Sequence, residues 1–289
     1  MKNNGIMIPD VLGSTPDMAE SLFAFLHGST PEKLAILNLA GVSWIHPYGA
    51  VALFEVCRYF HRLFQKRIHL TGLRTPIHAY LRRIDFFERG KDVVYTSEPF
   101  STKDDMNRSL SSSNMLEISP ICASHQIYDV TTRAQRILTC WLGQTHADIG
   151  RIVTLISETC SNAVDHSGDK GVITIQKYEQ KYFTEAMLGI GDIGQGIQQS
   201  LMAAHGSIAP TCVGYIQKAL AGFTARPNKR GGLGLGRIRD IAVESGGNLY
   251  IRSETGSVYI SSSGTIVKEN LFSFPGTQIS ITFQSKRRD

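Results

Sequence analysis

Apolar and polar positions alternate along this chain in two blocks, separated by a stretch with little periodicity. In the first block, residues 34–39 form an apolar run of strand length, followed by a turn around His46-Pro47 and a helical stretch over about 48–65. Residues 67–71 read as a second strand. Thr75 then serves as N-cap, with Pro76 at the first helical position, for a helix reaching about residue 85. Strand–helix–strand–helix of this kind predicts a small α/β domain. Residues 96–124 change character: a serine-rich run at 109–113, several charges and Pro99 and Pro120 mark a linker or an irregular crossing. The second block offers helices at about 132–142 and 147–166, then strands at 172–177 and 187–191. After a long Gly- and Ala-containing segment comes a helix over about 235–245, stopped by Gly246-Gly247. Strands near 249–253 and 278–283 close the pattern. The last alternates strictly, from Gln278 through Ser280 to Thr282, so one of its faces is expected to meet water.

These blocks divide the chain into residues 1–95, a linker at 96–125, and residues 126–289. Composition adds little to that picture. With 42% hydrophobic and 19% charged residues, the 289-residue chain has the make-up of an ordinary globular protein with room for two domains. No apolar stretch approaches the ~18 residues of a membrane span, and the first ten residues lack a signal-peptide core. The five cysteines are scattered without a CxxC pair, which implies buried free thiols, a reducing compartment and a cytoplasmic location. A net charge of +5, part of it in the terminal Lys286-Arg287-Arg288, with no aromatic-interleaved basic stripe, argues against a nucleic-acid partner.

Candidate chemistry is concentrated in the second block. On its longer helix, Ile149, Ile152, Val153, Ile156, Cys160 and Ala163 share one stripe at ~100° per residue. Glu158, Asn162 and His166, spaced by four, run along the other side. If the stripe packs on a sheet, those groups can floor a pocket: a carboxylate for a proton or an attacking group, and one turn on an amide oxygen for a hard cation. An ordinary solvated helix face fits the same spacing. The apolar run 187–190 leads into Gly191-Asp192-Ile193-Gly194-Gln195-Gly196, which presents a carboxylate acceptor at a sharp backbone turn, suited to an adenine amino group or simply to a turn. Third, Arg230-Gly231-Gly232-Leu233-Gly234-Leu235-Gly236-Arg237 opens a helix, where backbone amides and the helix dipole favour phosphate. Neither a Rossmann GxGxxG nor a P-loop GxxxxGK[ST] can be fitted there, because arginine stands at 237 and 239 and no Gly-Lys-Ser/Thr occurs.

Taken in order, Glu158-x-x-x-Asn162-Ala163, Asp192-x-Gly194-x-Gly196, Gly232-x-Gly234-Leu235-Gly236 and the late Gly276-Thr277 resemble the N, G1, G2 and final boxes of the Bergerat-fold ATPases. That superfamily includes gyrase, histidine kinases and anti-sigma-factor kinases, and the resemblance spans about 127–283. It implies bound ATP and Mg²⁺. Glu158 becomes the general base or water-orienting group and Asn162 the Mg²⁺ ligand. Asp192, with Gly194 and Gly196 beside it, becomes the adenine reader, supported by Thr277. Gly232, Leu233, Gly234, Leu235 and Gly236 run along the phosphates, and Lys229 or Arg230 reaches them from a lid over 197–231. His166 stands where anti-sigma-factor kinases tend to carry histidine, with capping and chemistry both open to it.

Glutamate at 158 favours the gyrase and anti-sigma-kinase branches over sensor kinases, whose dimerising helices and acid-flanked histidine are not seen around His125. In the first block, the 34–39 run, Gly41-Val42-Ser43-Trp44-Ile45 and Gly49 resemble a STAS domain, the fold of anti-anti-sigma factors. Its acceptor serine is missing, and Tyr48 holds that position in His46-Pro47-Tyr48-Gly49. The expected fold class is therefore α/β: a STAS-like docking domain, then a Bergerat sandwich whose mixed sheet carries helices on one face. The expected activity is ATPase or serine/threonine kinase on a STAS-like or sigma-factor-like protein partner, with a homodimer also compatible. An ATP-gated switch and a scaffold are the alternatives.

Overall fold

The computed structural model describes residues 5–26, 30–99, 115–142, 146–165, 170–225 and 234–286. In chain order the elements of the first half are β1 (Ile6–Met7), β2 (Val11–Leu12), α1 (Pro16–Leu26), α2 (Pro31–Leu34), β3 (Ile36–Asn38) and β4 (Trp44–Ile45). Then come α3 (Pro47–Phe64), β5 (Ile68–Thr71), α4 (Thr75–Arg83), α5 (Phe86–Arg89) and β6 (Val94–Tyr95). The second half holds β7 (Met115–Ile121), α6 (Ser124–Leu142), α7 (His146–Asp165), β8 (Gly171–Glu179), β9 (Phe183–Gly191), α8 (Ile197–His205) and α9 (Cys212–Leu220). It ends with α10 (Gly234–Glu244), β10 (Asn248–Glu254), β11 (Gly256–Ser261), β12 (Gly264–Lys268) and β13 (Phe274–Lys286).

The first half builds a four-stranded sheet in the order β1-β3-β5-β6, parallel at each pairing. Short parallel strands need covered faces, and α3 covers one of them. Every residue of α3 from Pro47 to Cys57 is buried, the pattern of a helix enclosed on all sides rather than one with a wet face. Pro47 at its start fixes the φ that the first turn requires. Arg74, not Thr75, is the N-cap of α4, and it makes no side-chain cap bond.

The second half is a seven-stranded sheet, β12-β11-β10-β13-β9-β8-β7. Its ladders all run antiparallel, a correction to the mixed sheet expected. Strand β7 lies inside the segment expected to be irregular; its run Met115-Leu116-Glu117-Ile118, in which Met115, Leu116 and Ile118 are buried, takes the edge beside β8. One face receives α6, α7, α9 and α10 over a core of Ile173, Ile175, Leu188, Ile190, Leu249, Ile251, Ile279 and Ile281.

The opposite face is where expectation and structure part most clearly. Gln278, Ser280 and Thr282 do not meet water: they are 0%, 1% and 1% exposed. Helix α3 lies across them, packed on β8, β9 and β13. The approach is close because β9 offers glycines. A Cβ on Gly189 would stand 2.6 Å from the Pro47 carbonyl oxygen, and one on Gly191 would stand 2.7 Å from Val51 Cγ1. Glu55 of α3 is fully buried here, held by Arg58 Nη1 at 2.7 and 2.9 Å, and the same nitrogen donates to the Lys170 carbonyl at 2.7 Å. The seven-stranded sheet is thus covered on both faces, by its own helices and by the first half. A single apolar cluster joins the halves, uniting Leu37, Leu53 and Phe86 with Val172, Tyr250 and Phe274.

Candidate functional site

On the face away from α3, the described residues enclose an open-mouthed cleft with about 860 Å³ of empty space, the open solvent at its mouth included. Helix α7 supplies Glu158, Thr159, Asn162 and Ala163. Its apolar stripe forms as the spacing predicts: Ile149, Ile152, Ile156 and Cys160 are buried against the sheet. The Glu158–Asn162 line flanks the cleft instead of pointing into open water, because α8, α9 and α10 close over that side.

Asp192 follows the last residue of β9 and is only 5% exposed. Three hydrogen bonds fix it. Its N–H donates to the Thr277 carbonyl at 3.0 Å, its Oδ1 accepts from Gly194 N at 2.9 Å, and its carbonyl accepts from Gln278 Nε2 at 2.9 Å. The Oδ1 contact is an Asx turn, which locks the side chain and the chain reversal together. Gly276, at φ +78°, is required beside it: a side chain there would be strained and would collide with the Asp192 carbonyl. Thr277 reaches the cleft from the same turn.

Gly234 opens α10 directly over α7. A Cβ on it would run into the Glu158 carboxylate, so glycine is what lets the helix N-terminus come against that group. Backbone N–H groups and the positive end of the helix dipole face the cleft there, an arrangement that favours an anion. Ile190, Ile279, Leu201, Ala219, Phe223 and Leu235 give the remaining walls an apolar lining suited to a flat ring system.

The fold thus brings Glu158, Asn162, Asp192, Gly196, Gly234, Leu235 and Thr277 to one cleft from four separate segments. Two predicted glycines do other work. Gly194 closes the Asx turn. Gly236 is buried in α10 with its Cα against α9, where a Cβ would stand 2.6 Å from the Leu220 carbonyl oxygen. Lys229, Arg230, Gly232, Leu233 and His166 lie outside the described residues. Sequence reasoning missed Ser200 and Leu201 on α8, and the Phe223-Thr224-Ala225 segment after α9, all of which line the cleft. Within the segment expected as a lid, Ile197 and Leu201, then Val213, Ile216 and Leu220, carry the three- and four-residue spacing of the two helices α8 and α9.

No group of three or more His, Cys, Asp or Glu side chains converges as a metal site among the described residues. Asn162 lies on the same helix flank as Glu158 and lines the cleft with it. Cys57 and Cys160 are buried as expected, with burial pushing the Cys160 thiol up to about 12, whereas Cys140 is exposed. Among the described residues no helix is long and apolar enough to cross a membrane.

Residues 147–286 match the family model described as histidine kinase-, DNA gyrase B- and HSP90-like ATPase. That match spans just under half of the chain and supports an ATPase domain in these residues. The match contains every cleft residue named above and supports ATP binding in the domain. No curated protein matches the chain.

Proposed function

We propose that this protein is an ATP-binding signalling regulator of the anti-sigma-factor-kinase type, which binds Mg-ATP in the C-terminal cleft and transfers its phosphoryl group to a serine or threonine of a partner, or hydrolyses it. The observation that carries this reading is the convergence of Glu158, Asn162, Asp192 and Thr277 on one cleft beside the N-terminus of α10. Asp192 accepts the adenine amino group, with Thr277 beside it. Asn162 holds Mg²⁺. Glu158 takes the proton of the attacking hydroxyl or water, acting on a phosphate laid along Gly234 and the preceding loop with Lys229 or Arg230. The N-terminal half is read as a STAS-like docking module, and the partner as a STAS-domain or sigma-factor-like regulator; a homodimer is compatible with this.

Phosphorylation within the chain at the STAS acceptor position is disfavoured by burial. Tyr48 is 1% exposed, packed edge-on against Tyr250 at 5.3 Å between ring centres, and burial raises its hydroxyl pKa well above the ordinary value. A second reading, an ATP-gated switch, is favoured by one specific contact: α3 rests on Gly189 and Gly191, immediately before Asp192. Occupancy of the cleft and the seating of α3 then bear on the same strand. Calorimetric titration of Mg-ATP into wild type and Asp192→Asn, with turnover assayed in wild type and Glu158→Ala, tests both. Wild-type binding that is lost in Asp192→Asn supports the site, and turnover lost in Glu158→Ala with binding kept supports the chemistry. No wild-type heat with ATP or ADP sinks the proposal; binding without turnover leaves the switch.

A further inference from the structure

We propose that Arg252, Ser253 and Glu254 form a positioning relay through which the N-terminal half sets the wall of the nucleotide cleft. The inference rests on nucleotide occupying that cleft. It starts from strand alternation: successive residues of β10 point to opposite faces of the sheet. Arg252 points to the face covered by the N-terminal half and Ser253 to the cleft side, while Glu254 lies at a register shift against β13.

On the first face, Arg252 is fully buried, unusual for arginine unless its guanidinium is satisfied. Its Nε donates to the Glu20 carboxylate of α1 at 3.2 Å, its Nη2 to the Phe272 carbonyl, and its guanidinium lies 4.0 Å from the centre of the Phe23 ring. Tyr250 also donates to Glu20. The remaining nitrogen, Nη1, donates to the carbonyl of Glu254 at 3.1 Å. Arg252 therefore ties α1 to the backbone of Glu254, which sits at φ +53°, a left-handed conformation uncommon outside glycine. Something must hold it there, and the arginine does.

On the second face, Ser253 Oγ accepts from the N–H of Ile197 at 2.9 Å, the first residue of α8, and lies 3.2 Å from the Gly276 carbonyl and 3.4 Å from Thr277 Oγ1. One hydroxyl thus joins the start of α8 to the turn that carries Thr277. The Glu254 carboxylate packs against Gly196 at the start of the same helix, toward the backbone N–H groups of Gln198 and Gln199, its next orphan donors, with Oε2 buried and making no hydrogen bond among the described residues. A Cβ on Gly196 would run into this carboxylate. The last glycine of the Asp192-x-Gly194-x-Gly196 motif is accordingly explained by room for Glu254 rather than for a ligand. Gly196, Ile197, Ser200 and Leu201 form one wall of the cleft, so the relay fixes that wall without itself lining it.

The discriminating variant is Glu254→Gly, because glycine accepts the positive φ and removes only the carboxylate. Full-length Glu254→Gly is expected to melt within a few degrees of wild type and to bind Mg-ATP about tenfold more weakly by calorimetry. The amide signals of Gln198 and Gln199 should shift and exchange faster in the nucleotide-free protein, a signature that general loss of stability would not confine to them. Glu20→Gln, distant from the cleft on α1, is expected to weaken Mg-ATP roughly threefold. In the double variant with Glu254→Gly that effect should vanish, because the relay runs through residue 254. Wild type that fails to bind Mg-ATP overturns the site reading and this inference together. Wild type that binds, with Glu254→Gly binding equally well, or with Glu20→Gln and Glu254→Gly additive, overturns the relay alone.

Discussion

Replacing Gly189 by alanine places one methyl group between β9 and α3. Its carbon would stand 2.6 Å from the Pro47 carbonyl oxygen, 2.7 Å from the Pro47 carbonyl carbon and 2.8 Å from Tyr48 Cα, all backbone atoms at the first turn of the helix. Carbon atoms pack at ~3.5 Å or more, so α3 has to withdraw by about 0.7 Å. No side chain can swing aside instead, and α3 is enclosed on its other faces by the N-terminal core. Overpacking of this kind costs ~1–3 kcal/mol. Unfolding entropy near ~2.1 cal/mol/K per residue over the whole chain converts that to a fall of roughly 2–5 °C in Tm. Gly150→Ala is the control. It sits within α7 with nothing within 4 Å of a new Cβ, and should gain ~0.5–1 kcal/mol from backbone entropy alone. Differential scanning calorimetry of the two variants beside wild type reads both effects. A Gly189→Ala protein that melts at or above wild type would refute the packing of α3 on the sheet, and with it the shared core of the two halves.

Three further outcomes follow from the same geometry. Asp192→Asn should weaken Mg-ATP by ~10–100-fold in calorimetry while far-UV circular dichroism stays unchanged, since a charged acceptor is lost and the turn is kept. Glu55→Ala leaves the Arg58 guanidinium without its buried carboxylate, and should cost ~3–5 kcal/mol in urea unfolding; a loss under 1 kcal/mol would mean that this pair is wet. His46, the N-cap of α3, has its pKa lowered by burial, so the unfolded chain binds its proton more readily. That part of stability is complete above the ordinary value of 6.5 and declines as pH falls from there through the lowered value. The urea midpoint at pH 5.5 against pH 7.5 should drop more in wild type than in His46→Gln, and equal drops would remove His46 from the explanation.

Much of the candidate site was legible in the sequence because its signals are local. The four-residue spacing of Glu158 and Asn162, the carboxylate at the end of an apolar run and the glycines opening α10 each describe a few consecutive turns of backbone, and backbone geometry follows from near neighbours. The helices Ile197–His205 and Cys212–Leu220 are legible as well, in the three- and four-residue spacing of their apolar positions.

What the sequence could not decide is what lies opposite each surface. Alternation along β13 marks Gln278, Ser280 and Thr282 as one face, but the pattern is the same whether that face meets water or a helix packed across it. The glycines of β9, Gly196 and Gly236 are likewise equivalent in one dimension: each could serve a turn, a ligand or a close approach. Only the tertiary structure sets Gly189 and Gly191 under α3, Gly196 over Glu254 and Gly236 against α9. The physical reason is that periodicity fixes which side chains share a face, whereas the partner of that face comes from residues over a hundred positions away, brought there by packing of the whole chain.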